Sequence, residues 1–382
     1  SITSSSTPSS STPSASTTSS STTSSSTTAT ETPDEVDVLL ATLSPEQKIG
    51  QLLMPVLFGT DANNVGPAEA AANRALGGAA TPAELVAANH LGGVLYLGTN
   101  IVNTSQVDAL SAGLQAVAPP GVGLLIAVDQ EGGRVNRITE GVTVFPSARS
   151  LSGDAEAVRA AANTTGTELS ALGINVVLAP VADLTDGGGV IGNRSYGSDP
   201  SVSAAMVVAA VEGLTTAGVA SAVKHWPGHG ATATDGHRSL PILDVDVATW
   251  RARELVPFEA AIKEGVDIVL VGHLAIPSLD PSGAPATVSP VLLDELLRQE
   301  MGFDGVVMTD ALDMGAVGSY SRGELVVQAV LAGVDILLVT PDLAAARAGL
   351  LAALDDGRLT PERLDASVER VLRLKLRLGL LG

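Results

Sequence analysis

Short, unbroken apolar runs recur along the chain, each followed by a longer, alanine-rich stretch with helical periodicity. The runs are Gln51 to Leu57, Gly93 to Leu97, Gly123 to Val128, Asn175 to Pro180, Val219 to Val223, Asp267 to Val271, Gly305 to Met308 and Asp335 to Val339. Continuous rather than alternating hydrophobicity marks strands covered on both faces, as in parallel sheets. Successive runs lie roughly 30 to 50 residues apart, the size of a βα unit. Eight such units predict an α/β fold, a single (β/α)8 barrel of the TIM type, with its functional residues at the C-terminal ends of the strands.

The stretches between the runs agree. Asp34 to Leu43 reads as a short helix, and Ser44-Pro45 opens a second one with Ser at the N-cap and Pro at the first position. Thr249 to Glu264 is amphipathic with Arg251, Arg253 and Glu254 on the wet side, and Pro290 to Glu300 repeats the pattern. The last helix, Pro361 to Leu378, carries its apolar stripe at Leu364, Val368, Val371, Leu372 and Leu376 and ends near Gly379. Nothing follows it, so no second domain is expected.

Composition changes this picture at the N-terminus. Residues 1–33 are almost only Ser and Thr with occasional Pro and Ala, too polar to bury anything, and are expected to be a disordered stalk or linker ahead of a barrel domain at 34–382. The chain opens on Ser1 rather than Met, which predicts a processed precursor that has shed a signal or lipid anchor. The expected location is therefore extracellular or attached to the cell envelope. A formal charge of −20 argues against nucleic-acid partners, which need clustered Lys and Arg. No apolar run approaches the roughly 20 residues of a membrane-spanning helix. Cysteine is absent, which removes disulfide and thiol chemistry.

Polar residues close several of the runs and form a list of pocket candidates: Asp129 with Glu131, Arg134 and Arg137, then Asp183 and Arg194, Lys224 and His225, His273, and Asp310. The densest stretch is Lys224-His225-Trp226-Pro227-Gly228-His229-Gly230, followed by Asp235-Gly236-His237. Asp310 ends an apolar run, where an ionised side chain is costly unless paired; held among Lys224, His225 and the arginines it would stay ionised and could attack an electrophilic carbon. Asp313, three residues on, reads instead as a cap for the following helix. A nucleophilic carboxylate suggests glycoside cleavage, which needs a second group to protonate the departing oxygen. His237 could do so, its imidazole oriented and its charge stabilised by Asp235. The competing reading is a turn-capping Asp235 and a surface His237.

Taken together, Lys-His-x-Pro-Gly-His-Gly with Asp-x-His, the upstream Val128-Asp129-Gln130-Glu131-Gly132-Gly133-Arg134-Val135 and the downstream Gly305-Val306-Val307-Met308-Thr309-Asp310 resemble the family 3 glycoside hydrolases. The likeness runs from about Leu43 to Leu378 and is nearest to the single-domain bacterial β-N-acetylglucosaminidases (β-N-acetylhexosaminidases), exo-acting enzymes that release terminal N-acetylglucosamine from cell-wall fragments. It implies Asp310 as nucleophile, His237 with Asp235 as acid/base dyad on a mobile loop, and Asp129, Arg137, Arg194, Lys224 and His225 as binders of the sugar hydroxyls and acetamide. No cofactor and no metal are expected; the expected partner is an N-acetylglucosamine-containing glycan, and the chain is expected to be a monomer. Two departures are Thr309, where Ser often precedes the nucleophile, and Gly236, where Ser often sits within the dyad.

Other readings stay open. They are a β-glucosidase, a glycoside phosphorylase with an anionic acceptor, a metal-dependent barrel hydrolase using His225, His229, His237 and Asp310, and a non-catalytic carbohydrate-binding protein with Trp226 as stacking platform. The last suffers from an aromatic content of 2%. A nucleotide site is excluded by the lack of a phosphate-binding Gly-x-x-x-x-Gly-Lys-Ser/Thr motif.

Overall fold

Each apolar run nucleates a short strand in the computed structural model, which describes residues 34–382; the expected Ser/Thr stalk lies outside the described residues. The strands are β1 (Leu53–Met54), β2 (Gly93–Tyr96), β3 (Leu125–Val128), β4 (Val176–Val177), β5 (Ala220–Trp226), β6 (Ile268–Val271), β7 (Val306–Thr309) and β8 (Leu337–Leu338). Strands β2 to β7 lie side by side in chain order, all parallel, and β1 pairs with β8 through Leu53–Leu337 and Met54–Leu338. The architecture is a curled parallel sheet wrapped in helices, with a small hairpin (Gln130–Gly132 and Val135–Asn136) beyond β3.

Side-chain alternation explains why the runs are uniformly apolar. In β6, Ile268 and Leu270 join an inner cluster with Met54, Leu95, Leu125, Val176, Ala222, Met308 and Leu338, so that all eight strand positions contribute to it. Val269 and Val271, on the other face, pack in the outer cluster beneath the helices. Both faces are dry, so polar alternation has no place. Truncating an inner residue such as Met308 to Ala is expected to cost about 2–5 kcal/mol. Acidic residues that open two runs serve the opposite end of the sheet. Asp335 accepts from Arg298, Ser367 and the Val307 amide, and Asp267 from the Ser221 amide and Arg377.

The helix starts are written in the sequence. Ser44 and Gln47 form a reciprocal capping box ahead of Pro45–Gln51, and Thr81 and Glu84 do the same ahead of Pro82–Asn89. Four expectations need correction. The first run does not begin as a strand, because Gln51 is the last residue of Pro45–Gln51. The helix expected over Thr249–Glu264 is two, Val247–Ala252 and Leu255–Lys263, since Pro257 lacks an amide and its ring would meet the carbonyl of Arg253 in a continuous helix. The break turns Glu254, expected on the wet side, inward to 2% exposure. Val291–Glu300 is wound as a π-helix, closing with Met301 N–H on Leu296 O.

The fourth concerns the last helix, Pro361–Arg377, where Leu376 is 39% exposed and the inner stripe is Leu364, Val368, Val371, Leu372 and Lys375. Those positions step by 4, 3, 1 and 3 as a 3.6-residue period requires, so residue 375 faces the core although it carries an amine.

No helix among the described residues is long and apolar enough to cross a membrane.

Candidate active site

Five charged side chains alternate in sign across the C-terminal ends of β3 and β5 and the loop after β4. Lys224, 3% exposed, places Nζ 2.9 Å from Asp129 Oδ1 and 2.7 Å from Glu131 Oε1. Arg194 grips Glu131 with two bonds of 2.7 and 2.8 Å, and Arg137 donates to Asp129 at 3.2 Å. The order is Arg137, Asp129, Lys224, Glu131, Arg194, three cations holding two carboxylates. Burial alone would push Glu131 up, but Lys224 and Arg194 bring it down to about 2. Asp129 is lowered in the same way against burial by Lys224, and Lys224 is raised against burial by Asp129 and Glu131. Such a cluster tolerates burial because each charge is paired and hydrogen-bonded.

Lys224 and His225 lie within β5 rather than after it, and alternation would send neighbours to opposite faces. The pairing with β6 slips there: Lys224 faces Leu270 and Trp226 faces Val271, leaving His225 as the extra residue of a bulge. Both side chains therefore reach the same cluster. His225 Nε2 lies 3.4 Å from Arg194 Nη2, and its Nδ1 lies 2.6 Å from Asp183 Oδ2. A guanidinium only donates, so the hydrogen of His225 belongs on Nδ1, aimed at Asp183. Asp183 is fully buried and also accepts the His229 amide at 2.6 Å. Burial would raise its carboxyl, yet the contacts with His225 and His229 hold it below the usual range.

Asp310 follows β7, its amide bonded to Val271 O at 2.8 Å and its Oδ1 accepting the Ala311 amide at 2.8 Å. His273 fixes this corner by donating from Nε2 to Ala311 O at 2.9 Å, with Nδ1 on Thr287. Burial would raise Asp310, but the imidazoles of His225 and His273, the Ala311 amide and the Lys224 ammonium lower it, so Asp310 and Lys224 share one electrostatic site. Thr309, fully buried, accepts the Leu338 amide at 2.9 Å and ties β7 to β8. Asp313 is exposed and caps no helix, contrary to expectation: Met314 and Ser321 take the N-cap positions that follow.

The Asp235–Gly236–His237 segment is separate from the buried cluster. His237 Nδ1 lies 2.9 Å from Asp235 Oδ1, and the side chain is 75% exposed. The segment rests on the loop after Asp310, with Gly315 N–H on His237 O at 3.2 Å and Ala316 N–H on Gly236 O at 3.0 Å. The backbone amide of His237 and its ring lower the Asp235 carboxyl. A Cβ at Gly236 would meet the Met314 methyl at 3.0 Å, the free end of a flexible side chain that can shift aside.

The structure thus gathers Asp129, Arg137, Arg194, Lys224, His225 and Asp310 into one site and sets Asp235 and His237 on its rim. Glu131 and Asp183, read in the sequence only as polar residues closing runs, are central to it. Their signal was their place two residues past Asp129 and three past Pro180. Arg134 turns away to the carbonyls of Val190 and Ile191. Trp226 is fully buried, edge-on to Trp250 and Phe258, and offers no stacking face to a sugar. Among the described residues no three His, Cys, Asp or Glu side chains are grouped as a metal ion would require.

Residues 44–374 match the family model "Glycosyl hydrolase family 3 N terminal domain". Among curated relatives, beta-hexosaminidase A of Pseudoalteromonas piscicida is 35% identical over 77% of this chain and 55% of its own length. The beta-N-acetylglucosaminidase/beta-glucosidase of Cellulomonas fimi is 32% identical over 90% of this chain and 60% of its own. A solved family 3 beta-N-acetylglucosaminidase from Paenibacillus sp. str. FPU-7 superposes with a TM-score of 0.82 at 42% identity, covering 88% of this chain and 63% of that one. The chain thus spans less than two thirds of the length of each of these three.

Proposed function

Because the chain belongs to glycosyl hydrolase family 3, we propose that it is a retaining, exo-acting β-N-acetylglucosaminidase with Asp310 as nucleophile and His237, oriented by Asp235, as acid/base. The observation that carries this reading is the seating of the Asp235–His237 pair on the loop that follows Asp310. The fold that presents these groups is a fully closed eight-stranded barrel. Closure is supported by Leu95 N–H on Pro55 O at 3.0 Å, which links the β1 and β2 segments, and by the Met308–Ile336 bridge between β7 and the β8 segment.

In this reading Asp129, Arg137, Arg194, Lys224 and His225 hold the hydroxyls and acetamide of the sugar with C1 above Asp310. The sugar substitutes for water on groups already fixed by one another, so little reorganisation accompanies reaction. The Asp310 carboxylate, kept ionised by its neighbours, bonds to C1 as the C1–oxygen bond to the aglycone breaks. The departing oxygen takes a proton from His237 Nε2. Water then adds at C1 and gives its proton to His237, and Asp310 leaves as a carboxylate. His237 reaches the glycosidic oxygen when its loop closes over the sugar, which its exposed position permits. The substrates are cell-wall fragments or chito-oligosaccharides, the protein acts as a monomer, and its place is extracellular or at the cell envelope.

A slow fluorinated glycoside followed by peptide mass spectrometry should label the peptide containing Asp310; label on another carboxylate refutes the assignment. A panel of nitrophenyl sugars tests the sugar itself. N-acetylglucosaminide turnover well above glucoside is expected, and the reverse favours the glucosidase activity in the name of the Cellulomonas fimi relative. Running each assay with and without phosphate separates hydrolysis from phosphorolysis.

A further inference from the structure

Glu254 is a carboxyl that the chemistry above does not use, yet it lies against the backbone that builds the site. It is 2% exposed, its Oε2 has no hydrogen-bond partner among the described residues, and Arg253 Nε stands 3.7 Å from Oε1. On its other side is Gly228. A Cβ there would sit 3.0 Å from Glu254 Cβ and 3.5 Å from Oε2, and its φ of +116° suits only glycine. Three residues before Glu254's helix break, Trp250 Nε1 donates to Pro227 O at 2.9 Å. The 250–254 segment therefore clamps the Pro227–Gly228 turn from outside.

The same turn is held from inside by Asp183, which accepts the His229 amide and orients His225. Two carboxyls thus flank one turn: Asp183 is met by donors on both oxygens, whereas Glu254 has only the distant Arg253 guanidinium on Oε1 and nothing on Oε2 among the described residues. The charged groups acting on Glu254 are Arg253 from its own segment and Asp183 from the stretch after β4. An ionised Glu254 would be buried, would repel Asp183 and would leave Oε2 without a donor, and Arg253, 3.7 Å from Oε1, offsets only part of this, so the arrangement fits a neutral acid.

We propose that Glu254 is a positioning residue: uncharged, it packs on Gly228 and holds the 227–229 turn so that Asp183 and His225 keep their sugar-binding geometry, and its ionisation loosens that geometry and weakens sugar binding. Burial, with Asp183 adding to it, raises the carboxyl to about 7, so the change falls within an accessible pH range.

This inference rests on the reading of the site as one for N-acetylglucosamine. The test is calorimetric affinity for N-acetylglucosamine at pH 6 and pH 8, either side of about 7, in wild type, Glu254→Gln and His237→Ala. Wild type and His237→Ala should each lose roughly 3- to 5-fold in affinity between the two pH values, a coupling of up to about one pKa unit. Glu254→Gln, neutral throughout, should bind at both with about the wild-type affinity of pH 6. A wild-type affinity independent of pH, or a loss that persists in Glu254→Gln, overturns the role of Glu254. Absence of binding at either pH refutes the sugar assignment instead, and infrared titration then decides the residue without ligand. A carboxylic-acid band present in wild type at pH 6 and lost at pH 8 supports the proposal, and its absence at pH 6 overturns it. That measurement also serves if Glu254→Gln does not fold.

Discussion

Lys375 offers a test of the core reading that needs no substrate. It is fully buried on the inner stripe of the last helix, and among the described residues its ammonium donates to Gln51 Oε1 at 2.6 Å. Burial lowers its ammonium from an ordinary 10.5 to about 7. Between those values the folded protein holds fewer protons than the unfolded chain, so stability rises with pH across that window and is lost as pH falls from 10.5 to about 7. Below pH 7 the folded state carries a penalty of roughly 5 kcal/mol from keeping this charge buried. From pH 7 to pH 9 about 2 kcal/mol of it should be relieved. Lys375→Met removes the charge but leaves Gln51 Oε1 without a donor, which costs about 1–3 kcal/mol. The variant should therefore be more stable than wild type by roughly 1–3 kcal/mol at pH 7, with the advantage shrinking or reversing at pH 9. Adding Gln51→Leu should recover part of the cost. Urea unfolding followed by the fluorescence of buried Trp226 and Trp250 reads this directly. Taking wild type minus variant cancels every other titrating group. A difference that does not change between pH 7 and pH 9 would mean that Lys375 is not held in a dry site, and the placement of the last helix would be wrong.

Three further substitutions probe the site. His237→Ala should slow substrates with poor leaving groups by about 100- to 10,000-fold while costing activated aryl glycosides far less; equal losses on both would mean that His237 is not the acid. Lys224→Met strips Asp129 and Glu131 of their shared cation and should cost about 3–5 kcal/mol in urea unfolding, together with a higher KM. Stability within 1 kcal/mol of wild type would show the pairing to be of little weight. Thr309→Ser keeps the hydroxyl bonded to the Leu338 amide and should be near neutral, whereas Thr309→Val orphans that amide and should cost about 1–3 kcal/mol.

What the sequence disclosed, and what it hid, divides along physical lines. Strand positions were legible because both faces of the sheet are dry and the runs are apolar without interruption. The cap at Ser44 is a local signal and sits where such a residue should. The inward turn of Glu254 was hidden because it depends on how Pro257 breaks a helix, and the burial of Lys375 because hydrophobicity favoured its neighbour Leu376 over the position that the helical period selects. Arg194 and Glu131 grip each other across 63 positions of sequence, a pairing that no window along the chain can display. The bulge at His225 is equally silent: nothing in Lys224-His225-Trp226 announces that two successive side chains will share one side.

The division of labour in the site follows from the same contrast between buried and exposed charge. The carboxylates of Asp129, Glu131, Asp183 and Asp310 all lie below their ordinary values because, against the cost of burial, neighbouring cations, imidazoles and donors favour the ionised form. A group so held stays ionised, which suits sugar binding and nucleophilic attack but not proton exchange. An acid/base must instead change its charge twice in each turnover, so it belongs outside the network, wet, with a single partner. His237, 75% exposed and bonded through its ring to Asp235 alone among the described residues, is the group at this site with those properties. The exposure that makes His237 look like a surface residue is thus what the proposed chemistry requires of it.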